Sequence, residues 1–136
     1  MASVRYRPTF RVTLRTDPGV DVMRRIGRAV AAAVVARTRG GRDESGHPFT
    51  PYTAAYARAK GVAPSDVDLT RSGDMLDAFG VQTATARTVT LGWSDSVLAT
   101  RARYNERRGR RFLGVPPAML ADARAQVAAA LRSRRR

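Results

Sequence analysis

Apolar and polar residues alternate over residues 9–16, where Phe10, Val12 and Leu14 are separated by Arg11, Thr13 and Arg15. A period of two predicts a strand with one buried face. Asp17-Pro18 stops it, with Asp17 placed to cap a following helix and Pro18 suited to that helix's first position. The period then changes. Val22, Ile26, Val30 and Val34 recur every four residues, with Met23 and Ala33 beside them. This is one apolar stripe on a helix that runs to about Arg37 and ends at Gly40-Gly41. Arg24, Arg25 and Arg28 occupy other positions around it and read as an exposed helix face.

Further along, the pattern is shorter-ranged. Residues 42–51 form a polar loop containing Gly46 and Pro48, and a short helix follows Thr53, with Tyr52 and Tyr56 one turn apart. After a loop at 61–65, Thr70 or Ser72 is placed to cap a helical turn carrying Met75, Leu76 and Phe79, with Gly80 at its end. Residues 81–86 and 88–93 read as a β-hairpin around Arg87, with Val89 and Leu91 on one face. A helix from Ser96 to about Glu106 leads to a basic turn at 107–111 and an apolar plug at 112–115. The last helix starts at Pro116-Pro117, carries Leu120, Ala123, Val127, Ala130 and Leu131, and frays into a basic tail at 132–136 expected to be flexible. No repeat and no linker divides the chain. The order predicts one α+β domain over residues 1–136: a small antiparallel sheet, made of the N-terminal strand and the hairpin, packed against the long helix, with short helices and a C-terminal helix.

A chain of 136 residues is sized for one domain, and its 43% hydrophobic content permits a core. Aromatic residues make up only 7%, so that core leans on Ala, Val and Leu. Charge changes the picture more. There are 25 basic and 11 acidic residues, a formal net charge of +14, and Lys60 is the one basic residue that is not arginine. Such a balance points to polyanions or acidic protein surfaces as partners. Arginine binds phosphate and carboxylate through a two-pronged fork and stays protonated. Cysteine is absent, which excludes disulfides, thiolate chemistry and Cys-based zinc sites. Residues 1–15 show no apolar signal-peptide core, and the longest low-polarity run, residues 29–36, is far short of a membrane span. The expectation is a soluble protein, intracellular while it is made, with no membrane partner.

Candidate chemistry is sparse. His47, the sole histidine, lies in a loop beside Gly46 and Pro48, where an exposed polar role outweighs that of a base or metal ligand. Asp66, Asp68, Asp74 and Asp77 form the densest carboxylate group. Two-metal nucleases use such clusters, but Asp74 and Asp77 flank Met75-Leu76 at the start of a short helix, where negative charge complements the helix dipole. No glycine-rich phosphate loop, dinucleotide-binding pattern or triad motif occurs. The expectation is no catalytic residue, no metal, no cofactor and no small-molecule substrate. The densest basic run holds Arg101, Arg103, Arg107, Arg108, Arg110 and Arg111, offset locally by Glu106 alone. It reads either as a surface facing DNA or an acidic neighbouring subunit, or as a solvated turn. Tyr104 is the one aromatic within it, too few for a base-stacking platform.

Four segments, in order, resemble a known family. Gly46-His47-Pro48-Phe49-Thr50-Pro51-Tyr52, followed by Tyr56-Ala57 and Lys60, is similar to the G-x-P-F-x-P-Y-x-x-x-Y-A-x-x-K stretch of phage virion morphogenesis proteins. These are tail-completion proteins of tailed phages, Mu-like and P2-like in type. Asp68-Leu69-Thr70-Arg71-Ser72-Gly73-Asp74-Met75-Leu76 resembles their L-T-x-S/T-G-x-M/L-L segment, and the strand ending at Leu91-Gly92 their V-x-I/L-G strand. Tyr104-Asn105-Glu106 with Arg111-Phe112-Leu113-Gly114-Val115 looks like Y-x-E…R-x-F-L-G. The match spans roughly residues 41–115, while Arg107-Arg108-Gly109-Arg110 departs from the family's usual sequence. The resemblance implies a non-enzymatic ring subunit, commonly six-fold, in the neck or upper tail of the virion, assembled in the host cytoplasm and joined to neighbouring neck and tail proteins. Arginines lining a passage for genomic double-stranded DNA would fit such a ring. Within this reading Phe49, Tyr52, Tyr56, Phe79, Trp93 and Phe112 pack the domain, and the 101–111 arginines form the contact surface. Ala121, Ala125, Ala128 and Ala129 form a second face of the last helix, open either to a neighbouring helix or to solvent. The alternative from a different class is a free-standing, sequence-nonspecific DNA-binding protein, against which stands the lack of a convincing recognition helix.

Overall fold

The computed structural model describes residues 10–49, 51, 53–61, 63, 74–107 and 111–133, with the side chains of Asp74, Arg107 and Ser133 excepted. Along the chain these form β1 (Phe10–Thr13), α1 (Val20–Arg39), α2 (Ala54–Lys60), α3 (Asp74–Asp77), β2 (Gly80–Ala84), β3 (Thr88–Gly92), α4 (Ser96–Arg107) and α5 (Pro117–Ser133). The fold is α+β. Its three strands form an antiparallel sheet in the order β1-β3-β2, so the hairpin's second strand is central.

Alternation along β1 and on to Leu14, and along β3, sends Val12, Leu14, Val89 and Leu91 into the core, where all four are buried. The α1 stripe meets them with Met23, Ile26, Val30 and Val34, while Val22 is half-buried at its margin. Gly27 lets the helix approach: a Cβ there would stand 2.6 Å from a methyl of Val89 and 2.9 Å from one of Val81. On its other side α1 packs along α5 through Ala123 and Val127, with Leu120 and Leu131 half-buried. Trp93 closes the core beyond β3. It stacks obliquely on Phe79 at 4.9 Å, meets Phe112 edge-on at 6.2 Å, and donates its indole N–H to the carbonyl of Met75 at 2.6 Å.

Several local readings change. β1 is shorter than the alternation suggested: Arg15 and Thr16 bend away, although buried Leu14 still donates its N–H to the carbonyl of Arg87 at 2.9 Å. Asp17 does not cap α1 and Pro18 is not its first residue. Instead the Asp17 carboxylate accepts the N–H of Gly19 two residues on, and Gly19, at a φ of 92°, turns the chain so that the helix starts at Val20. The helix also continues past Arg37 to Arg39. Thr53 caps α2 by accepting the N–H of Tyr56, and Gly61 ends it in the left-handed conformation. Asp77 sits at the end of α3, not its start, and Phe79 follows the helix, because Gly80 already belongs to β2. The hairpin turns on Ala86-Arg87, with the hydroxyl of Thr85 accepting the N–H of Thr88.

Phe49, Phe79, Trp93 and Phe112 are buried as expected. Tyr56 is not: α2 is short and presents only Ala57 to the core, leaving Tyr56 40% exposed. Ala130 is exposed too, as are Ala121, Ala125, Ala128 and Ala129. Tyr52, Thr70 and Ser72 lie outside the described residues, as do residues 134–136; Arg132 is still helical.

Candidate functional site

α4 carries the first part of the arginine run. Arg101 is exposed and Arg103 half-buried, because residues two apart on a helix point about 200° apart around its axis. The two therefore do not share a surface. Arg107 ends α4, and Arg108 and Arg110 lie outside the described residues. Arg111, exposed, opens the irregular segment 111–116 that leads into α5. Its guanidinium approaches the Glu44 carboxylate at 4.0 Å, and its carbonyl accepts the N–H of Glu44 at 2.7 Å.

The segment that follows is held by side chains from two separate helices. It has no ladder, so its backbone polar atoms need other partners. Glu106, in the last turn of α4, accepts the N–H groups of both Phe112 and Leu113 on one carboxylate oxygen, at 2.9 and 3.0 Å. Arg37, near the end of α1, donates one terminal nitrogen to the carbonyls of Phe112 and Gly114, at 2.6 and 2.9 Å, and places the other 4.0 Å from the sulfur of Met119. Gly114 passes so close to Glu44 that a Cβ would meet that side chain. Phe112 thereby inserts fully into the core beside Trp93. One carboxylate in the last turn of α4 thus fixes the backbone where Phe112 and Leu113 enter the core.

Burial lowers the affinity of the Arg37 guanidinium for its proton, while Glu44, Asp43 and Glu106 act in the opposite sense. The group stays charged, as arginine does in proteins. Its Nε–H is buried without an acceptor among the described residues. Neither Arg37 nor Glu106 entered the sequence reading as a structural residue. A signal was present for Arg37: it stands three residues past Val34 on the core-facing side of α1, where the stripe calls for an apolar side chain, and a charge there requires partners. Glu106 was read as a counter-charge to its arginine neighbours; instead it serves the backbone.

The aspartate group does not assemble among the described residues. Asp77 is exposed and ion-paired with Arg39, while Asp66 and Asp68 fall outside them. His47 is exposed in the loop, where its N–H and that of Ser45 are accepted by Asp43. Among the described residues no group of three or more His, Cys, Asp or Glu side chains stands in metal-binding proximity, and no helix is long and apolar enough to cross a membrane. The chain matches no family model, no curated protein and no solved structure.

Proposed function

We propose that the chain is a structural, non-enzymatic subunit of a tailed-phage or phage-like virion: a tail-completion or neck ring subunit at the head–tail junction that makes the tail competent to join the head. The observation that carries this reading is the ordered set of segments between Gly46 and Val115. The last of them has a physical rationale in this chain. In Y-x-E…F-L-G the acid is Glu106, which binds the N–H groups of Phe112 and Leu113, and the glycine is Gly114, packed against Glu44. The partners on this reading are further copies in a ring, six-fold by resemblance, neighbouring neck and tail proteins, and genomic double-stranded DNA near the arginines.

The net charge of +14 favours a second reading, a free-standing protein that binds DNA without sequence preference. Light scattering at low and high salt, with and without a short duplex, separates the two. The virion reading expects a ring-sized species, or a monomer that assembles only with a tail or neck component. A stable monomer or dimer that binds duplex at low salt and releases it at high salt would replace it with the second reading.

A further inference from the structure

A ring requires each subunit to present two unlike surfaces, because head-to-tail contacts join different patches. Two regions of this chain have complementary character. On α4, Val97, Arg101 and Tyr104 stand at i, i+4 and i+7 and so share one face. Val97 is 60% exposed and Tyr104 53%, the two most exposed large hydrophobic residues among those described, and Arg101 between them is exposed as well. The helix packs inward through Ala99 and Ala102. A face that only tracked phosphates would have no use for a valine more than half in water. Tyrosine and arginine are the residue types enriched where protein interfaces concentrate their binding energy.

The second region is a groove of about 580 Å³ between α1 and α5. Ala29, Ala33, Ala118 and Met119 line it with small or flexible apolar groups; Arg37 and Glu44 add opposite charges at one end, and Asp122 adds a second carboxylate. Asp122 is exposed. Glu44 already faces Arg111 and Arg37, which leaves Asp122 as the acid of the groove with no ion pair among the described residues. No residue of α4 lines the groove, so the two patches are separate and one copy can use both at once.

We infer that the Val97–Arg101–Tyr104 face of one copy seats in the α1–α5 groove of the next, with Arg101 meeting Asp122 and the apolar groups meeting the alanine floor. This rests on the ring reading and adds the contact that builds the ring.

Sedimentation of the full chain over a range of concentrations tests it, using wild type, Arg101→Glu, Asp122→Arg and the double variant. Both positions are exposed on helices, and circular dichroism checks that each variant is folded. Each single substitution should raise the concentration needed for assembly at least about tenfold, the loss of one close charge pair. The double variant should return it to near the wild-type value. A general charge effect behaves differently: R101E lowers the net charge and D122R raises it, so their effects would oppose. Val97→Asp should weaken assembly as well. Single variants that assemble like wild type, or a double variant that regains nothing, overturn this contact and leave the ring reading standing. A wild type that never assembles, alone or with virion components, overturns both. Loss of duplex binding in R101E with assembly intact assigns the α4 face to DNA and overturns the inference.

Discussion

The sheet-and-α1 core and the 111–116 segment both bury large side chains, yet they are held by different physics. The core is periodic. Val12, Val89 and Leu91 alternate on strands, Met23, Ile26, Val30 and Val34 recur on α1, and the backbone of each element satisfies itself. Its stabilisation is apolar area, about 25 cal/mol for each Å² removed from water. The 111–116 segment is aperiodic and lacks regular structure, so Phe112 reaches the core on a backbone whose N–H and C=O groups are satisfied by Glu106 and Arg37. The contrast teaches that charged side chains in this molecule divide into two kinds. Some face solvent. A few replace the missing ladder of an irregular chain.

Removing Trp93 strikes where the two regions meet and should have the largest effect. It is almost fully buried, contacts Phe79 and Phe112, and bonds the carbonyl of Met75. Trp93→Ala should cost about 3–5 kcal/mol, read as a shift of the denaturant midpoint. A loss under about 1 kcal/mol would mean the segment, and not the core, sets stability.

Glu106→Ala comes next. It strips the acceptor from two backbone N–H groups, and a charged acceptor of this kind contributes about 1.5–3 kcal/mol. Glu106→Gln keeps an oxygen and should cost less. Trp93, the chain's one tryptophan, reports locally: its emission should shift to the red in Glu106→Ala as Phe112 loosens. Unchanged emission with lowered stability would show that Phe112 keeps its seat without the carboxylate.

Two glycines sharpen the comparison further. In a helix interior, replacing glycine by alanine ordinarily gains about 1 kcal/mol. At Gly27 the sign should reverse, because the new methyl collides with Val89 and Val81 between α1 and the sheet, and overpacking costs about 1–3 kcal/mol. At Gly114 the added Cβ would lie 2.6 Å from the Cβ of Glu44, so Gly114→Ala should displace the segment from its partners while leaving the sheet intact. Thermal melts would rank the two, and amide exchange at Phe112 and Leu113 would show which region opens. Protection at those amides should fall selectively in Gly114→Ala.

The periodic half of the molecule was legible because burial imposes period. The α1 stripe and the Val89 and Leu91 face followed from spacing alone, and four of the six aromatics expected to pack the domain, at 49, 79, 93 and 112, are buried. The entry to α1 was misread because Asp17 has two ways to use its carboxylate, and the turn at Gly19 competes with the cap. Tyr56 was misread because a short helix offers the core only one position. The arginine run was legible as charge but not as geometry: consecutive arginines on α4 diverge, so Arg101 is exposed while Arg103 is half-buried. Arg37 and Glu106 escaped because their partners are 75 and 6 residues away on an irregular backbone, which no periodicity announces.

Arg37 and Arg39 carry the contrast to its smallest expected effect. They are two residues apart on one helix and alike in composition. Arg37 is half-buried and donates to two carbonyls; Arg39 pairs with Asp77 through side chains that are 48% and 67% exposed. Water screens such a pair, and its two long or mobile side chains lose freedom by meeting, so its coupling should be about 0–1 kcal/mol in a double-mutant cycle of Arg39→Ala and Asp77→Ala. Raising the ionic strength to about 1 M shortens the screening length to about 3 Å and should erase what remains. Arg37→Met should show the opposite behaviour: a clear loss of stability that salt barely alters, because the donors it removes are half-buried and bond neutral carbonyls. If the Arg39 pair instead couples by more than about 2 kcal/mol at high salt, well above the range for exposed pairs, then α3 is anchored as the 111–116 segment is, and the division of charges into solvated and structural must be redrawn to include it.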